Sequence, residues 1–388
     1  MKYIIKNFKT SLLLAFSAVL FLASCNKKME QLSDAPVTPP TGLTLAQTMA
    51  ASSDSLYYKL LVRGGLINKI SRTDSIFTMF VPDNNAMRVF VNAASGGAIP
   101  VAAPDAVHSA FISGLLPAAS ANAIGSFNIC PQAITTASIP ATFPNFQYPS
   151  ILNPAPALSA FLRLTTFPST RNGAYLNNIP LLSTNTLASN GVIHKTAAIA
   201  LPPSQYLWDR INTDATFSLL KAAIQRADAD PTAPGALQSA LLNIGANLTV
   251  YAPDTTAFKN VLSFLSGGAL NPAMPNAVFA GFIGTLPITT VKGIVVYHIM
   301  GTRAFSNNFP TTVTNYPTLL NGAIPAHPGL GLRATFTGPM VSAATVKGAA
   351  NGTASNVLIN PTPAPGGSSD QFYLNGVLHR IDQVLLPQ

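Results

Sequence analysis

The chain has 388 residues, only 9 % of them charged, and a formal net charge of +9. Thinly spread, with no Lys/Arg cluster beyond a pair, that charge leaves no nucleic-acid footprint. Two cysteines, Cys25 and Cys130, provide no disulfide framework, and abundant Pro, Gly, Asn, Thr, Ser and Ala imply many loops and a neutral polar surface.

Residues 1–24 stand apart from the fold. Lys2, Lys6 and Lys9 precede an apolar run from Ser11 to Leu22 that is too short to span a bilayer as a mature helix. Leu22-Ala23-Ser24-Cys25 then places small residues before a cysteine, as at a secretory processing site. This stretch resembles a bacterial lipoprotein box, which implies cleavage before Cys25 and acylation of that residue; an ordinary signal peptide is the alternative. Two or more acyl chains anchor stably, each buried methylene contributing roughly 0.8 kcal/mol. Losing the three lysines lowers the net charge from +9 to +6. Residues 25–42 are polar, then proline-rich, and read as an extended tether.

Apolar spacing predicts helices around Leu43–Met49 and Leu56–Leu66, the second ended by Gly64-Gly65. Phe77–Val81 reads as a strand closed by Pro82, with Asp83 capping the helix that follows. Cys130 follows an apolar run and reads as a small buried residue. Phe143, Phe146 and Tyr148 stand among prolines in a loop. They either contact a ligand, stacking on sugar rings or partner side chains, or pack locally. Asn190-Gly191 signals a tight turn through its tolerance of positive φ. A strand carrying His194 follows, and Pro202 is expected to end its pairing.

The pattern then starts again. Tyr206–Ile211 and Phe217–Ile224 read as helices, and Trp208, the single tryptophan, is expected at the seam between halves. The link Pro202-Pro203-Ser204 is short, so the halves should touch. Leu248–Ala252, Pro253 and Asp254 repeat the strand, its proline and the cap. Asn271–Asn276 and Pro361–Ser369 read as proline-rich loops without counterparts in the first half. Leu374–Pro387 repeats Ser189–Pro202 without gaps, Asn375, Gly376 and His379 matching Asn190, Gly191 and His194. Two echoes in the same order mark a tandem duplication, with modules at 43–202 and 203–388.

The strand ending in Pro-Asp, the Tyr297-His298 pair and the closing Asn-Gly-Val-Leu-His-x-Ile-Asp-x-Val-Leu-Leu-Pro run, with its Asp382, resemble the fasciclin (FAS1) domain. The first copy departs from that pattern at Phe127-Asn128 and at Lys195-Thr196-Ala197. The resemblance covers roughly residues 42 to 388. It implies an α+β fold: two tandem FAS1-like domains, each a small, mostly antiparallel β-sandwich or wedge with packed helices. It also implies a non-enzymatic adhesion or binding role.

Chemistry-bearing constellations are absent from the sequence. The five histidines, His108, His194, His298, His327 and His379, show no metal-ligand spacing, so no metal or cofactor is expected. His194, His298 and His379 read as buried groups tying strands to backbone. Gly329-Leu330-Gly331-Leu332 follows Pro328 and opens no helix, which rules out a dinucleotide fingerprint. No catalytic residues are expected; an enzyme would need a deep pocket with converging carboxylates. The reading is a lipid-anchored bacterial envelope protein, on either face of the outer membrane, whose partner is an unidentified protein or glycan. An accessory lipoprotein capturing glycan or protein for an uptake system is the alternative.

Overall fold

The computed structural model describes residues 41–363 and 366–388. Signal segment, Cys25 and nearly all of the tether lie outside these residues, as do Ala364 and Pro365 of the proline loop. Residues 42–388 form one compact unit. Its architecture is α+β, with two curled sheets and helices gathered against each.

The first sheet contains β1 (Phe77–Pro82), β2 (Ile129–Cys130), β5 (Pro168–Ser169), β6 (Tyr175–Leu176), β7 (Ile179–Ala188) and β8 (Gly191–Thr196), in the order β2-β1-β8-β7-β6-β5. Beside it β3 (Tyr148–Pro149) pairs with β4 (Thr165–Thr166). The second sheet contains β9 (Leu248–Pro253), β10 (Ile299–Met300), β11 (Thr314–Tyr316), β12 (Leu330–Thr337), β13 (Met340–Lys347), β14 (Ser355–Val357), β15 (Gln371–Tyr373) and β16 (Gly376–Ile381). Its order is β10-β9-β16-β14-β13-β12-β11, with β15 also paired to β16. His194 and His379 therefore lie in different sheets.

Pairing is mostly antiparallel, but the centre of each sheet is parallel. β1 runs beside β8 from Phe77↔Gly191 to Pro82↔Thr196, and β9 beside β16 from Leu248↔Gly376 to Ile381↔Pro253. Both strands of each pair are wholly or largely buried, as a strand covered on two faces must be. The ladders end at Thr196 and Ile381, not at Pro202 and Pro387 as expected. What stops them is Pro82 or Pro253 on the neighbouring strand, after which that neighbour turns into a helix.

The long strand β7 and the pair β14/β15 are one element in two forms. Thr186, Leu187 and Ala188 pair with Ile193, Val192 and Gly191, as Gln371, Phe372 and Tyr373 pair with Leu378, Val377 and Gly376. At the far end Leu181 pairs with Thr196, and Val357 with Ile381. The first half crosses the interval with two register shifts; the second spans it with residues 358–370, where the proline loop sits.

Each half buries a core between its sheet and helices, and a second cluster on residues such as Phe80 and Leu176 in the first half and Tyr251 and Leu332 in the second. The helical core of the first half is built on residues such as Leu60, Leu61, Met79 and Ile124, that of the second on Leu207, Phe217, Leu220 and Phe279. Trp208 belongs to this second helical core, not to the seam. At the start of a helix with Leu207 and Ile211 buried beside it, its ring is drawn inward with the apolar stripe. Asn271–Asn276 also has a counterpart after all. Pro275 precedes the helix Asn276–Thr285 as Pro104 precedes Asp105–Ala110, and Pro287 and Pro117 open the next helices.

Candidate functional site

The repeated motifs close the fold at equivalent points. Asp83 Oδ1 accepts from Ala86 N–H at 2.8 Å and Asp254 Oδ1 from Ala257 N–H at 2.9 Å, each satisfying a free helix-start donor. Asp254 also receives Arg380, whose Nη2 lies 2.7 Å away; at the matching place Lys195 pairs with the buried Asp54 at 2.9 Å.

The Asn-Gly pairs work differently from the expectation. None of Asn190, Gly191, Asn375 and Gly376 has a positive φ. Instead, a Cβ on Gly191 would overlap the Phe77 carbonyl and Leu45, and one on Gly376 would lie 2.5 Å from Leu248 O and Leu207 Cδ1. Glycine is needed because the parallel neighbour and the first helix press on it. The asparagines act as clamps. Asn190 Oδ1 accepts from Leu45 N–H at 2.7 Å while Nδ2 donates to Ile70 O and Arg72 O. Asn375 Oδ1 accepts from Leu207 N–H at 3.0 Å while Nδ2 donates to Leu241 O at 2.8 Å.

His194 and His379 are both fully buried. His194 Nε2 donates to Ile134 O at 2.7 Å and Nδ1 accepts from Asn185 N–H at 3.3 Å. His379 Nε2 donates to Ala304 O at 2.9 Å and Nδ1 accepts from Asp370 N–H at 3.2 Å. Each ring stacks on the neighbouring strand, on Phe80 and Tyr251 respectively. Burial holds the His194 pKa below its ordinary value. Thr78 and Thr249 complete the device: each hydroxyl accepts from the N–H of Ile134 or Ala304 and donates to Gln132 O or Thr302 O. Sequence reading missed these threonines, although the same letter stands at the same place in both strands.

His298 donates from Nδ1 to Ile294 O at 2.8 Å and accepts at Nε2 from Leu385 N–H at 2.8 Å. Burial drives its pKa down to about 4. In the first half Asn128 clamps the same place, its Nδ2 donating to Ile124 O and Ala200 O. Tyr297 donates to Gly329 O and accepts from Ala349 N–H. Asp382 accepts from Ser355 Oγ and from Asn356 N–H and Nδ2, tying down β14. Cys130 is buried, its thiol pushed up to about 12. All the charged or titratable motif residues are thus engaged in holding structure.

The proline-flanked aromatics divide. Phe143 is half-buried against the second half, 4.2 Å from Tyr316 and 6.1 Å from Phe309 between ring centroids. Tyr148 is buried and donates to Ser138 O. Only Phe146 is open, at 49 % exposure. Of the two readings of this loop, Phe143 and Tyr148 follow the packing one, and Phe146, edge-on to Tyr148 at 5.2 Å, keeps an exposed face. In the same loop Asn145 Oδ1 accepts from Phe305 N–H and Thr142 O accepts from Asn308 Nδ2.

That seam is the site where the two halves create something neither has alone. Phe167 of the first half and Phe305 and Val377 of the second are buried together, with Phe372 packed on them. Around them, Ser169 Oγ donates to Asn308 Oδ1, Asn172 Nδ2 to Asn307 O and Phe309 O, Asn307 Nδ2 to Asn177 O, and Tyr175 OH to Pro339 O. No ion pair crosses the seam among the described residues; three lie within the first half and three within the second. Beside the aromatic cluster opens a groove of about 340 Å³ walled by the link residues Ala198–Gln205, by Asn177 and Asn178, and by Pro361, Asp370 and Phe372. Asp370 is held by Ser306, accepting from its N–H and its hydroxyl at 2.6 Å. Among the described residues no cluster of His, Cys, Asp or Glu could hold a metal ion, and no single helix is long and apolar enough to cross a membrane.

The arrangement is similar to a FAS1 domain pair. The solved structure is that of such a pair from the insect cell adhesion molecule fasciclin I; the match covers 86 % of this chain and 97 % of that one, with 13 % sequence identity and a TM-score of 0.32. No family model matches the sequence, and no curated protein does.

Proposed function

We propose that the chain is a non-enzymatic binding or adhesion lipoprotein of a bacterial envelope. On this reading it is anchored through Cys25 and presents two fused α+β modules on its tether. The observation that carries the binding role is the seam groove. Its volume of about 340 Å³ falls in the range of small-ligand and peptide sites. Its walls are mainly amides, prolines and aromatic rings, which offer hydrogen bonds and flat apolar faces, and its one carboxylate, Asp370, is held by Ser306. The engagement of His194, His298, His379, Asp83 and Asp254 in fixed hydrogen bonds supports the same reading.

The test immobilises the chain from residue 25 and measures retention of solubilised envelope proteins and polysaccharides. An Ala198→Trp variant fills the groove from an exposed position. Saturable retention that drops at least tenfold in this variant supports the groove as the site; equal retention by both proteins, or none, removes it. Anchoring is tested separately by membrane fractionation of cells carrying Cys25→Ala, which should release the protein from the membrane fraction.

A further inference from the structure

A second pocket on the seam, of about 180 Å³, is lined by Arg163, Arg303, Gln147, Thr165 and Asn247 and by no carboxylate. Arg303 is anomalous. It is 5 % exposed, yet no acidic group pairs with it among the described residues. It donates from Nη2 to Leu374 O at 2.7 Å, while its Nε has no partner. Its guanidinium lies between the rings of Phe167 and Phe372, 5.1 and 5.2 Å from their centroids, which holds the plane in place and offsets part of the cost of burial. Burial alone drives its pKa down to about 9. A buried cation without a counter-ion is costly, and here it borders an open space. Arg163, on the exposed side, donates through Nη1 to Ala160 O and Leu162 O and has no acidic partner among the described residues.

We infer that this pocket is an anion site that receives the carboxylate of an acidic polysaccharide. The planar fork of a guanidinium matches a carboxylate with two parallel N–H···O bonds. Gln147, Thr165 and Asn247 supply neutral donors and acceptors suited to sugar hydroxyls. Phe146 and Phe161, each one or two residues from a pocket-lining side chain, are 49 % and 91 % exposed and offer apolar faces for a sugar ring. This inference rests on the binding reading above and names a ligand class for it.

The experiment titrates a short oligogalacturonide into the chain from residue 25 by calorimetry. Parallel arms use the matching neutral galacto-oligosaccharide, an acidic polyglutamate peptide and sodium chloride at equal ionic strength. Four proteins are compared: wild type, Arg303→Met, Arg163→Gln, and Arg333→Gln, which removes one exposed positive charge outside the pocket. The expected result is saturable uronate binding, at least tenfold weaker in Arg303→Met and about threefold weaker in Arg163→Gln. Arg333→Gln should match wild type and the neutral sugar should not bind. Arg163 is exposed, so its variant keeps the test decisive if Arg303→Met does not fold. Equal affinity in wild type and Arg163→Gln, tighter binding of polyglutamate, or an effect reproduced by chloride overturns the inference. Neutral-sugar or protein retention lost only in Ala198→Trp leaves the seam-groove reading standing without it.

Discussion

His298 exchanges two hydrogen bonds with backbone and has no route to water. Protonating Nε2 would set a second N–H against that of Leu385. With the folded pKa near 4 and the unfolded value near 6.5, the unfolded chain binds the proton first as pH falls. The stability tied to this residue is whole above about pH 6.5 and declines between there and pH 4, by roughly 3 kcal/mol in all. Denaturant titrations across this window should show that loss. His298→Asn, which installs the residue used by the first half, should flatten the slope while costing about 1–2 kcal/mol at neutral pH for the imperfectly replaced pair of bonds. Cys130 gives a simpler check. Its buried, raised thiol should resist maleimide in the native chain at pH 7 and react fully once unfolded.

At the scale of elements, the turn before β8 and β16 separates two kinds of glycine. Gly376 faces the backbone of β9, so Gly376→Ala should cost about 1–3 kcal/mol through overpacking. Gly281, within the helix Asn276–Thr285, has open space where its Cβ would be; Gly281→Ala should stabilise by about 0.5–1 kcal/mol. Paired thermal melts decide both. The same element shows what the letters could carry. Asn190 and Asn375 were legible as a repeated turn because both copies spend them alike, but the turn chemistry usually attached to Asn-Gly pointed to φ when the cause was crowding by a neighbouring strand. Ser95-Gly96-Gly97 and Ser266-Gly267-Gly268 make the same helix-ending turn, each serine accepting from the N–H four residues on. That echo is legible in the letters alone. Trp208 packs in the helical core because the stripe it shares with Leu207 and Ile211 outweighs its place at the start of the second half.

For the molecule as a whole, the seam was the least legible part. Asn172 and Asn307, or Asn145 and Phe305, meet across more than a hundred residues, and a neutral amide in a loop announces no partner. Phe305 is fully buried at the centre of this contact. Phe305→Ala should cost about 3–5 kcal/mol and split one cooperative unfolding transition into two, observable by calorimetry; a single unchanged transition would show that Phe305 does not carry the coupling between the halves. The contact is built mainly from amides, hydroxyls and rings, with the Arg303 guanidinium buried among them.

A joint held by dipoles, oily rings and one guanidinium buried between two of those rings has no salt bridge to lose. Mobile ions that weaken exposed charge pairs within a nanometre find no ion pair to shield between these halves among the described residues. The angle between the modules should therefore stay the same from dilute buffer to brine, even as their individual surface ion pairs fade.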